Sequence, residues 1–213
     1  MDTIDRRDTP RGELVLRRDG DRYEIISNGT FLMDTGDGRS ERLLVTAALD
    51  AVPGARTLLI GGLGVGFSLA AALGYPDLTA ITVVERESAV VDWQSEYLGR
   101  FSGHALRDPR VRVVVDDLVS WVGTINERYD AVCLDIDNGP EWTVTDDNAG
   151  LYTTAGLTAL GRILLPGGAL AIWSAAAAPE FEERLHVAFG DVHIHEVPVQ
   201  RGEPDLVYLV RVS

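Results

Sequence analysis

The chain has no lysine: all 19 basic residues are arginine, set against 33 acids for a net charge of −14 over 213 residues. That excludes a Schiff-base lysine and a P-loop lysine. The charge also argues against a nucleic-acid partner, because contact with a phosphate backbone needs clustered cations. The single cysteine, Cys133, leaves no intramolecular disulfide and no cysteine zinc cluster, so a reducing cytoplasm is the expected compartment. No apolar run reaches the roughly 18 residues a membrane helix needs, and no membrane partner is expected. Histidine is scarce; His193 and His195 share one face of a short strand pattern without a third ligand, so no metal site is expected. There is no G-x-S-x-G elbow for a hydrolase.

What is present is a globular composition, 46% hydrophobic, in a length that suits one main folding unit. The chain is organised around residues 56–85. Thr57-Leu58-Leu59-Ile60 reads as a buried strand. It runs into Gly61-Gly62-Leu63-Gly64-Val65-Gly66, and Phe67–Leu73 reads as the start of a helix. Strand, glycine turn and helix in that order set backbone N–H groups and a helix N-terminus against a ligand. The next apolar run, Ala80–Val84, ends on Glu85, which stands where a ribose's hydroxyls are held. Phe67 stands where the dinucleotide fingerprint G-x-G-x-x-G needs its last glycine. The pattern present, Gly62-x-Gly64-x-Gly66, suits an adenosyl sulfonium of the S-adenosylmethionine type instead.

Residues 1–11, charged and nearly devoid of large apolar side chains, read as a disordered, solvated tail without a signal segment. Three β-type runs follow within residues 12–38, divided by the hairpin dipeptides Asp19-Gly20 and Asn28-Gly29. Ser40 is placed to cap a helix from Glu41 to about Ala51, which Pro53-Gly54 ends. From residue 39 to 213 strands and helices alternate, with helices at Glu87–Leu98, Leu151–Leu164 and Pro179–Phe189 and two closing strands at Val192–Val197 and Leu206–Val212. The expected fold is α/β: a Rossmann-like, doubly wound, mainly parallel sheet of the seven-strand methyltransferase type. Its last strand is antiparallel, and a small N-terminal antiparallel β unit precedes it.

In such a sheet the ligand lies beyond the carboxyl ends of the strands. Four successive ends carry glycines or acids: Gly61–Gly66, Glu85, Asp116-Asp117 and Asp135. Asp116 or Asp117 can simply cap the next helix, or Asp117 can face an adenine. Asp135 opens an acidic loop with Asp137, Asn138 and Trp142. Carboxylates beside a sulfonium can hold and deprotonate an amine, and Trp142 can stack on a cation; the alternative is a solvated acidic loop.

From about Gly12 to Trp173 the chain resembles the spermidine synthase family. Glu41, Ile60-Gly61-Gly62, Asp108-Pro109-Arg110-Val111 and Leu165-Pro166-Gly167-Gly168 carry the likeness. The resemblance implies Glu85 as the ribose-binding acid, Asp117 as the adenine-binding one and Asp135 as the catalytic aspartate. The acceptor would then meet Glu41, Asp137, Asn138 and Trp142. Departures from the family pattern lie at Gly64, where the family carries an aspartate for the donor's amine, at Arg39-Ser40 in place of tyrosine and histidine, and at Asn138 in place of a second aspartate. An arginine at 39 facing a polyamine would repel it. The activity expected on this footing is S-adenosylmethionine-dependent methyl transfer to a small molecule, a cationic amine being one candidate. The alternatives are aminopropyl transfer from decarboxylated S-adenosylmethionine and a non-catalytic binding protein. A homodimer is compatible with either class.

Overall fold

A computed structural model describes residues 1–213 other than Asp137, Trp142, Val144, Thr145, Arg201 and Ser213; of Asp146 and Asp147 it describes the backbone alone. A four-stranded antiparallel meander comes first: β1 (Asp2–Thr9), β2 (Gly12–Asp19), β3 (Arg22–Ser27) and β4 (Thr30–Asp34). Asn28 and Gly29 turn β3 into β4 at φ of 50° and 79°, the left-handed pair a tight two-residue hairpin requires. The expected tail at residues 1–11 is instead the edge strand β1. Its inner charge is partnered: Asp5 accepts from Trp93 Nε1 at 2.8 Å and from Arg7 at 2.7 Å. Leu14, Leu16, Tyr23 and Ile25 of this sheet belong to the same core as the main sheet.

The main sheet holds seven strands in the order β10-β11-β9-β8-β5-β6-β7. They are β5 (Thr57–Gly61), β6 (Ala80–Glu85), β7 (Val111–Val115), β8 (Tyr129–Leu134), β9 (Leu164–Ser174), β10 (Val192–Val197) and β11 (Asp205–Arg211). Strands β5 to β9 pair in parallel, while β11 pairs antiparallel with β9 and with β10. Helices α1 (Arg39–Ala51), α2 (Phe67–Leu73) and α3 (Ser88–Trp93) cover one face through Leu44, Leu69 and the fully buried Trp93. Helices α4 (Leu118–Thr124), α5 (Thr154–Arg162) and α6 (Pro179–Phe189) cover the other through Trp121, Leu157 and Phe181. A sheet apolar on both faces and wrapped on both is the doubly wound arrangement. No helix among the described residues is long and apolar enough to cross a membrane.

Local differences from the sequence reading have physical causes. Helix α1 begins at Arg39 after Gly38, so Ser40 is inside it and does not cap it. Helix α3 stops at Trp93 and a π-helical turn, Gln94–Leu98, completes the expected span. Helix α5 starts after the cap Thr153, whose hydroxyl accepts from Gly156 N, and a 3-10 turn at Asp146–Tyr152 precedes it. Strand β9 begins at Leu164, but Tyr129 pairs with Leu164 and Ala131 with Ala169, so Pro166-Gly167-Gly168 is extruded from the ladder.

Candidate active site

Chain direction across the sheet reverses at β5: β6 and β7 lie on one side, β8 and β9 on the other. The crevice at the carboxyl ends of β5 and β8 is where an open α/β sheet binds its ligand. Here the glycine loop after β5 and Asp135 after β8 are tied together, Asp135 N donating to Gly61 O at 2.8 Å. A Cβ added at Gly62, whose φ is +91°, would collide with the Asp135 carbonyl, so that approach requires glycine. Beside them lies a cavity of about 760 Å³, lined by the glycine loop, the ends of β6, β7 and β8, helix α1, strand β4 and the β10–β11 connection.

Glu85, at the tip of β6, is buried. One carboxylate oxygen accepts from Leu63 N at 2.9 Å and the other from Glu87 N at 2.8 Å. It therefore fixes the glycine loop, and each oxygen keeps a lone pair towards the cavity it lines. Burial raises its pKa, against the backbone N–H groups of Glu87, Leu63 and Gly64, which favour the charge.

Deeper in, Glu41 of α1 and Asp135 face the same space. Ser68 Oγ of α2 links them, donating to Asp135 Oδ2 at 3.3 Å or to the Glu41 carbonyl at 3.2 Å. Burial, and then the Asp135 charge, push Glu41 up to about 8. Burial raises Asp135 to about 6; the Ser68 hydroxyl opposes this, and the charges of Asp205 and Glu85 add to it. Eight acidic residues and two arginines stand among the described residues that line the cavity, and Arg22 is already paired with Asp34. Such a field favours a cationic occupant.

The other sequence candidates divide. Asp116 and Asn138 line the cavity. Asp117 caps α4, accepting from Ser120 N at 2.9 Å, and does not line it. Gly64 is a wall residue, and Gly66 is the left-handed cap of α2, away from the cavity. Asp137 and Trp142 lie outside the described residues. Arg39 is exposed and already partnered: its guanidinium binds Asp37, a cavity-lining residue, at 2.7 Å and the Pro198 carbonyl at 2.9 Å, and its charge also reaches Asp205. The contact with Arg39 holds Asp37 below the usual carboxylate range.

Several residues serve the cavity in ways that the sequence did not show. Met33 of β4 lays its thioether over the glycine loop, accepting from Val65 N at 3.3 Å, and a Cβ at Gly64 would collide with it. The volume an aspartate would take at 64 is thus filled from the N-terminal sheet. Gln94, in the π-helical turn, donates to the Gly64 carbonyl at 2.8 Å. Asp205, Trp173 and Ser40 form a further wall. Because β11 is antiparallel, its first residue, not its last, reaches the ligand edge beside Ser174. An acid opening the final apolar run, Asp205 before Leu206–Val210, is the signal that could have found it.

The family model for the spermine/spermidine synthase domain matches residues 39–187. Polyamine aminopropyltransferase 2 of Ralstonia nicotianae is 30% identical over 181 residues, covering 84% of this chain and 34% of that protein. The Corynebacterium efficiens polyamine aminopropyltransferase is 31% identical over 167 residues, 77% of this chain and 31% of the relative. This chain therefore spans about a third of the length of these relatives. A spermidine synthase solved with the transition-state analogue AdoDATO superposes with a TM-score of 0.81 at 15% identity, over 99% of this chain and 74% of that one. Spermidine synthase from Thermotoga maritima gives 0.80 over 99% and 73%. Relatives named for aminopropyl transfer overturn the expectation of methyl transfer. By the match over residues 39–187, the chain belongs to the spermine/spermidine synthase domain family.

Proposed function

We propose that this chain is an aminopropyltransferase that joins the aminopropyl group of decarboxylated S-adenosylmethionine to an amine of the polyamine class. The observation that carries this reading is the acidic cavity at the switch point of the sheet, with Asp135 and Glu41 facing one space. The names of the relatives support the same chemistry.

The donor supplies a sulfonium, which makes the adjacent propyl carbon electrophilic. Glu85 would accept from its ribose hydroxyls, while Val84, Leu118 and Ile136 offer an apolar slot beside Asp116 for its base. The glycine loop leaves room along the remainder. Asp135, near 6, is ionised at neutral pH and can orient the acceptor amine and take its proton. The amine's lone pair forms a bond to the propyl carbon, the carbon–sulfur bond breaks, and its electron pair stays on sulfur as a neutral thioether. The proton from nitrogen passes to Asp135. In-line displacement of this kind needs mainly positioning, which suits a site with few catalytic groups.

The test is incubation with decarboxylated S-adenosylmethionine and 1,4-diaminobutane, or a longer triamine, followed by assay for methylthioadenosine. Its stoichiometric release with an aminopropylated amine is expected. Absence of both products across diamines and triamines would refute the proposal.

A further inference from the structure

We propose that Asp205 is a specificity-determining residue of the acceptor site, its carboxylate receiving a second ammonium group so that the cavity selects di- and polyamines over monoamines. This rests on the aminopropyl-transfer reading for the identity of the acceptor, but the ammonium site itself is read from the geometry.

Asp205 opens β11, and pairing of Leu206 with Ser174 brings it to the same edge of the sheet as Asp135 and Glu85. It lines the same cavity. Its Oδ2 accepts from Ser40 Oγ at 2.7 Å, and Ser40 is itself buried within α1. Trp173 Nε1, buried and without a hydrogen bond of normal geometry, lies near enough to favour the charged carboxylate. These two groups hold the side chain in place and leave lone pairs for a ligand. No arginine among the described residues lies within ion-pair distance of Asp205; the charge of Arg39 reaches it, but the Arg39 guanidinium is bonded to Asp37 and leaves the Asp205 oxygens open to a closer cation. The negative charge is also felt by Asp135 and Glu41, so Asp205 shares their space. An acceptor that places its reacting nitrogen at Asp135 and a second ammonium at Asp205 relieves the mutual repulsion of these acids. A monoamine leaves that repulsion standing.

The experiment compares wild type, Asp205→Asn and Ser40→Ala in calorimetric titrations with 1,4-diaminobutane and with butylamine, alongside kcat and KM. Asparagine keeps the shape and still accepts from Ser40, and thermal melting verifies that each variant is folded. Asp205→Asn is expected to weaken diamine binding and raise its KM by roughly 10–100-fold, the loss of one charge-assisted hydrogen bond, with kcat changed far less. Butylamine binding should be unchanged, and Ser40→Ala should give a smaller loss for the diamine alone. If Asp205→Asn does not fold, an unaltered diamine affinity in Ser40→Ala overturns the inference. Equal losses for both amines, or no loss, also overturn it. Diamine binding that depends on Asp205 without any turnover would sink aminopropyl transfer and leave Asp205 as the ammonium anchor. A wild type that binds neither amine overturns both.

Discussion

Glu41→Gln should make the protein more stable as the pH rises, relative to wild type. Glu41 sits in the cavity wall with its pKa moved from 4.5 to about 8, first by burial and then by Asp135. A carboxyl whose folded pKa is raised binds more protons folded than unfolded between those two values. The slope of unfolding free energy with pH is therefore negative there, and its stability contribution is complete below about 4.5 and lost by about 8. A shift of about three and a half units at 1.36 kcal/mol each sets a ceiling of about 5 kcal/mol. Asp135 titrates in the same field and shares the interaction, so the expected difference lies below that ceiling. Glutamine keeps the shape and carries no charge at any pH. Urea unfolding of both proteins at pH 5, 7 and 9 reads the effect: the midpoints should lie close together at pH 5 and separate progressively by pH 9, with glutamine the more stable. Parallel midpoints across the range would refute the placement of a buried carboxyl at Glu41 whose desolvation outweighs its contact with the Ser40 hydroxyl at 3.2 Å. The same argument has a functional side. A polyamine's positive charge supplies a counter-charge beyond the Ser40 hydroxyl, so ligand should narrow the gap between the two proteins at high pH.

Two further substitutions probe the cavity. Asp135→Asn should lower the single-turnover rate by about 10²–10⁴-fold with donor affinity nearly unchanged; a wild-type rate would remove Asp135 from the chemistry. Gly62→Ala should destabilise by roughly 2–4 kcal/mol in urea unfolding and weaken donor binding, because the new Cβ meets the Asp135 carbonyl at a left-handed φ of +91°; unchanged stability would show that the loop and Asp135 are not in contact.

The sequence by itself determined the frame of the site. Thr57–Gly66 and Ala80–Glu85 are local patterns whose strand period and turn chemistry need no distant partner, and both are where the spacing put them. The main sheet and the N-terminal hairpins follow in the same way from alternation and from Asn28-Gly29. Edge strand β1 was not legible, because its stability comes from ion pairs and from Trp93, 88 positions along the chain from Asp5. Nor was the inner wall of the cavity. Ser40 has the residue type of a helix cap, and only the packing of α1 against β11 turns its hydroxyl to Asp205. Asp205 escaped notice because an antiparallel strand presents its first residue where the parallel strands present their last. Met33 could replace a side chain at Gly64 only once the N-terminal sheet closed over the glycine loop. The displaced titrations of Glu41 and Asp135 depend on desolvation and on charges brought together through space, and neither is a property of any stretch of sequence.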